Sequence, residues 1–110
     1  MFKDGTVSGV GEYLDGDRHG RWIFYYRNGL PKADVGYDHG QLDGDCTWYR
    51  DSGGLLQKGI FAKGQQVGFW QRWHSTGAVM DEGSYDAGRK TGQWVTYSPD
   101  GSIAKRKTFK

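Results

Sequence analysis

The chain has one cysteine and two prolines in 110 residues. A single thiol excludes an intramolecular disulfide framework, so packing and hydrogen bonds must hold the fold. Little proline, and no glycine at every third position, exclude a collagen-like triple helix. Apolar runs are only a few residues long and the mean hydropathy is −0.81, which leaves no transmembrane helix. The opening stretch MFKDGTVSGVGEY has no apolar signal-peptide core, so a cytoplasmic location is expected. The length allows one domain or one run of repeats, not two cores.

Glycine and aromatic residues are abundant instead, with 19 glycines and 17 aromatics (5 Trp, 7 Tyr, 5 Phe). Glycine-rich linkers lack Trp and Tyr, so disorder does not fit this pairing. A repeat accounts for it. With Tyr13 as zero, Gly16 follows at +3, Gly20 at +7, Trp22 at +9, Tyr25 at +12 and Gly29 at +16. The series restarts at Tyr37, Phe61, Tyr85 and Phe109, a step of 24 residues without insertion. Position −2 is Gly11, Gly59 and Gly83, with Val35 in the second copy, where Cys46 also replaces the +9 Trp. This lattice absorbs 16 of the 19 glycines and 12 of the 17 aromatics, so the unusual composition is mostly scaffold.

Each copy holds two β-prone segments between two x-Gly turn signals, such as Asp15-Gly16 and Asn28-Gly29. Glycine at this density opposes helix. The expectation is an all-β, elongated, single-layer antiparallel meander with two strands per repeat and eight or nine strands. The units are a partial repeat 1–10, repeats 11–34, 35–58, 59–82 and 83–106, and a terminal strand 107–110. If both turns have two residues, each +9 Trp pairs with the next copy's −2 position, and each +7 Gly with the next copy's zero-position aromatic. Each ring is then expected to lie over the glycine it pairs with. The +12 aromatics belong to the opposite face by strand parity.

The pattern G-x-Y-x-x-G-x-x-x-G-x-W-x-x-Y-x-x-x-G resembles the MORN-repeat variant family over nearly the whole chain. The resemblance implies a non-enzymatic protein–protein interaction scaffold. Bacterial members are often described as antitoxins of toxin–antitoxin systems, and related MORN repeats are linked to phospholipids. No catalytic motif transfers.

The residues agree with that absence. His19, His39 and His74 sit at three different offsets (+6, +2 and +13), with no ligand spacing to one another or to Cys46. Cys46 holds a scaffold position and reads as a small buried apolar residue. Asp81 and Glu82 are adjacent in a strand and point to opposite faces, which opposes a paired acid–base role. Gly53-Gly54 belongs to no phosphate-loop motif. No catalytic, cofactor-binding or metal-binding set is expected.

The net charge of +2 comes from Lys105, Arg106, Lys107 and Lys110, without which the chain is −2. Lys105, Arg106 and Lys107 are the candidates for an anionic lipid or a phosphate, set against protection of an exposed sheet edge. The rest is not basic enough for nucleic acid. Five aromatics fall outside the lattice: Phe2, Phe24, Tyr26, Trp48 and Phe69. Phe2, Phe24, Tyr26 and Trp48 share strand parity and are the candidate partner-binding patch, with packing of the first repeat as the competing reading. Phe69 has the other parity and is expected only to pack. A protein partner is expected, with weak dimerisation or edge-to-edge assembly. A phospholipid-associated module and a carbohydrate- or cell-wall-binding repeat are the alternatives.

Overall fold

Glycine at fixed intervals punctuates this chain into short strands, and the computed structural model describes them for residues 8–110. They are β1 (Gly9–Leu14), β2 (Asp17–Tyr25), β3 (Pro31–Asp38), β4 (Gln41–Leu42), β5 (Gly44–Tyr49), β6 (Leu55–Ala62), β7 (Gln65–Trp73), β8 (Val79–Asp86), β9 (Arg89–Tyr97) and β10 (Ile103–Phe109). All lie in one open antiparallel sheet with neighbours in chain order; β4 and β5 both pair with β3, as two parts of one strand position interrupted at Asp43. The sheet measures 43 × 30 × 16 Å, a single layer. No helix among the described residues is long and apolar enough to cross a membrane.

The first turn of each copy is the expected two-residue type, with positive φ at both positions: Asp15 (53°) and Gly16 (88°), repeated at His39-Gly40, Lys63-Gly64 and Ala87-Gly88. The second turn differs from expectation. Gly29 N–H donates to Tyr26 O at 3.0 Å and Tyr26 N–H to Leu30 O at 2.9 Å, which makes a three-residue loop closed by a left-handed glycine. The same bonds recur at Arg50–Gly54, His74–Ala78 and Ser98–Ser102. A bulge then restores the expected register: Tyr25 pairs with Pro31 but Phe24 with Ala33, so Trp22 meets Val35 and Gly20 meets Tyr37 as predicted.

The first hairpin carries a second bulge that the two-residue arithmetic does not contain. Glu12 pairs with His19, yet Val10 pairs with Ile23, so Gly11 alone faces Gly20, Arg21 and Trp22. The same jump occurs between Ile60/Val67 and Lys58/Gln71, and between Ser84/Thr91 and Glu82/Val95. It corrects the expected ring placement. Each Trp ring folds back over the −2 glycine of its own repeat, not the next one. A Cβ built on Gly11, Gly59 or Gly83 would fall inside the ring of Trp22, Trp70 or Trp94. The +7 glycines are not under rings at all; they take the positive φ of the bulge, 74° at Gly20 and 67° at Gly68.

The ring is pinned at its polar end too. The indole N–H of Trp22 donates to Glu12 O at 2.9 Å, that of Trp70 to Ile60 O at 3.1 Å, and that of Trp94 to Ser84 O at 3.1 Å. Exposure of these residues is 5%, 2% and 7%. At about 200 Å² each, burying such a ring contributes about 5 kcal/mol of transfer free energy as an upper value.

The second copy solves the same problem with other residues. Val35 and Cys46, its −2 and +9 residues, are the most buried side chains described, at 1% and 0%. Valine supplies the volume that the missing indole would fill. An aromatic returns two residues later, where Trp48 stacks on Trp70 at 6.0 Å and meets Phe61 edge-on at 6.0 Å.

Substitutions at these positions and in the first turn have defined expected outcomes. Gly83→Ala is expected to cost about 2–3 kcal/mol by displacing Trp94, and Cys46→Trp alone a similar amount against Val35. The pair Val35→Gly/Cys46→Trp is expected to recover most of that loss, read as a coupling energy in a double-mutant cycle of urea unfolding. Ala87→Gly, which relieves a β-carbon held at φ 49°, is expected to raise stability by about 0.5–1 kcal/mol.

Candidate functional site

The bulges set which residues face each other beside the tryptophan row. Position +11 of each copy lies against −4 of its own copy: Phe24 with Gly9, Trp48 with Ala33, Arg72 with Gln57 and Thr96 with Asp81. Phe24 also pairs with Ala33 from the other side. Phe24 and Trp48 therefore flank one buried alanine and pack against the buried cluster of Trp22, Ala33, Val35 and Cys46. Phe24 stacks on Trp22 at 5.7 Å. Its ring also covers Gly9, where a Cβ would come within 2.9 Å. Ser8, Phe24, Tyr25, Lys32, Ala33 and Trp48 line an open concavity of roughly 320 Å³.

Two members of the expected patch are placed otherwise or not at all. Phe2 lies outside the described residues. Tyr26 sits at the second turn, where its hydroxyl donates to Tyr49 O at 2.7 Å and Lys32 Nζ lies 5.8 Å from its ring. That bond belongs to the scaffold. Arg50 donates to Trp73 O and His74 Nε2 meets Tyr97 O, each at 2.8 Å, from the equivalent positions of the next two copies. Phe69, expected only to pack, is 50% exposed. It pairs with Ser84 on the face opposite the Trp rings.

Further along, the Trp-bearing face becomes charged. Arg72 Nε donates to Asp81 Oδ1 at 2.9 Å, and Arg72 Nη2 closes a second bond to Oδ2. Asp81 is only 6% exposed. Its hydrogen bond holds the guanidinium pKa above its ordinary value. The pair lines a hollow of roughly 160 Å³ with Trp70, Tyr85, Lys90 and Trp94. Asp81 carries no sequence signal of its arginine, which lies opposite it on the neighbouring strand. The opposite face carries Glu82, which accepts from Gln71 Nε2 at 3.1 Å and Tyr97 O–H at 3.2 Å. Tyr97, a +12 aromatic, thus lies on that face.

Lys105, Arg106 and Lys107 are exposed on β10 and do not form one cluster. They pair in turn with Thr96, Val95 and Trp94, so strand alternation sends Arg106 to the other face. Lys107 joins Lys90 beside Phe109, at 4.9 and 5.6 Å from the ring. Cys46 is sealed in the core, and burial raises its thiol pKa, which opposes a nucleophilic thiolate. His19 and His39, unrelated by offset, meet across the sheet with ring centroids 5.8 Å apart.

One open layer, stabilised by an aromatic row along one face, defines a single-sheet β-repeat protein. The chain carries repeats of the MORN variant family: the family described as MORN repeat variant matches residues 18–39 and 90–110. The two matches start three 24-residue periods apart, in phase with the lattice. No curated protein matches the chain.

Removing Arg72 leaves a buried carboxylate without its bidentate partner. Arg72→Ala is expected to cost about 2–3 kcal/mol in denaturant unfolding. Arg72→Ala/Asp81→Gln, which restores a neutral polar residue of the kind Gln57 already is in the preceding copy, should cost less.

Proposed function

We propose that this chain is a non-enzymatic, cytoplasmic protein-interaction scaffold that docks a partner protein on the Trp-bearing face around Ala33. The carrying observation is the concavity lined by half-buried Phe24 and Trp48 on either side of Ala33, with Tyr25 and Lys32 beside them. Among the described residues, a single-layer sheet leaves such rings without a covering layer. Aromatic side chains that are fixed by packing and still reachable lose little entropy on binding. The antitoxin-like form of this reading has a toxin protein as the partner, inhibited by occlusion.

A second reading has one observation in its favour. Lys90 and Lys107 share the Phe109 ring near the last strand, a small cationic spot suited to an anionic lipid headgroup.

The test is affinity capture from the source cell with the intact chain, the exposed-rim variant Lys32→Glu, and Phe24→Ser/Trp48→Ser. Each variant is also followed by thermal unfolding. A protein retained by the wild type and lost from a cooperatively melting Lys32→Glu chain supports docking at this site. Equal retention by both variants overturns it, and in that case a stability loss in the double variant marks Phe24 and Trp48 as core. Binding to phosphatidylserine vesicles that Lys90→Gln/Lys107→Gln abolishes favours the second reading.

A further inference from the structure

The +5 carbonyl of one copy bonds the first turn of the next, which places the adjoining +6 residue beside that turn. The contact recurs along the lattice: Gly40 N–H donates to Arg18 O at 3.0 Å, and Gly64 N–H to Leu42 O at 2.9 Å. Asp43, at +6 of the second copy, accepts from the backbone N–H of Lys63 at 3.2 Å. At the junction of the first and second copies the same geometry brings together three donor side chains. His19 extends from β2, Asp38 ends β3, and His39 opens the following turn. His39 Nδ1 lies 2.6 Å from Asp38 Oδ1, and His19 Nδ1 lies 3.7 Å from the same oxygen. One ligand atom from each residue falls within 4.8 Å of the other two. His19 Nδ1 is shielded from solvent and has no hydrogen-bond partner among the described residues.

We propose that His19, Asp38 and His39 form a site for one divalent transition cation of the zinc class. Two imidazoles and a carboxylate are a donor set for such ions, with metal–ligand bonds of about 2.0–2.2 Å and ligand atoms about 3.3–3.5 Å apart in a tetrahedron. The observed 3.7 Å needs little change. The 2.6 Å hydrogen bond opens by less than about 1 Å as the cation takes the place of its proton. Water completes the coordination, because all three side chains retain solvent exposure. The Asp17 carboxylate, 3.6 Å from where a Cβ on Gly40 would stand, adds negative charge nearby. The other copies form an internal control. One period on, the three positions are Asp43, Ala62 and Lys63, and two periods on they are Val67, Asp86 and Ala87, neither of which can hold the ion.

The experiment is calorimetric titration of the untagged full chain with zinc, repeated with cobalt(II) and its visible absorption. The expected result is saturable binding of one equivalent, weakened at least about 10-fold by His19→Ala, His39→Ala or Asp38→Asn. His74→Ala should bind as the wild type does. Asp38 and His39 are exposed and His19 is partly so, and the melting curves of the variants establish that they are folded. Absence of saturable binding up to millimolar zinc overturns the site, as does unchanged affinity in folded His19→Ala/His39→Ala.

Discussion

The whole sheet depends on an indole ring laid flat over a residue with no side chain. A single β-layer has no second layer to bury its apolar face against, so the core must be built from side chains lying along that face. Trp22, Trp70 and Trp94 do this by folding across the hairpin bulge of their own repeat onto Gly11, Gly59 and Gly83. The indole N–H reaches a backbone carbonyl on the same strand as that glycine, which fixes the ring's direction as well as its depth. The zero-position aromatics then stand edge-on to the rings. Tyr13 meets Trp22, Phe61 meets Trp70 and Tyr85 meets Trp94, each at 5.1 Å. Edge-to-face geometry suits ring quadrupoles. It also links successive copies, since Tyr85 lies 5.9 Å from Trp70 as well. One inserted residue would turn the following rings to the other face, which accounts physically for a period held at 24.

The period, the type of the first turn, the assignment of faces and the pairings Trp22–Val35 and Trp70–Gly83 were all legible in the sequence. Each follows from glycine placement and strand alternation. The first-hairpin bulge was not, because a glycine that permits positive φ and a glycine that makes room for a ring look the same as letters. Gly20 is of the first kind and Gly11 of the second. The exchange in copy two carried a readable signal, since glycine and tryptophan were lost together. Its meaning depended on knowing that the −2 and +9 positions of one copy share a contact.

The histidines show why the candidate site was less legible than the fold. Offsets within one repeat place His19 at +6 and His39 at +2, and that comparison separates them. The sheet compares +6 with the next copy's +2, as the Asp43–Lys63 bond demonstrates one copy later. Proximity in a meander is set by sums across a turn, not by equal offsets. The Arg72–Asp81 pair was hidden for the same reason: these residues face each other across β7 and β8, and neither carries a motif.

What varies along the scaffold is the pair of columns beside the rings. At −4 the residues run Gly9, Ala33, Gln57, Asp81, and at +11 they run Phe24, Trp48, Arg72, Thr96. These columns are coupled by sterics and charge. A bulky ring needs a glycine or alanine opposite, whereas a buried carboxylate needs a cation. The lattice beside them requires no particular polarity there, because the Trp rings and their glycines already supply the apolar contacts and the turns supply the chain reversals. A repeat of this kind can therefore present an apolar hollow at one end and an ion pair at the other without altering its backbone. Side-chain chemistry that differs between copies falls at positions that the repeat leaves unspecified, and in this chain the aromatic residues at two of those positions also help to fill the core.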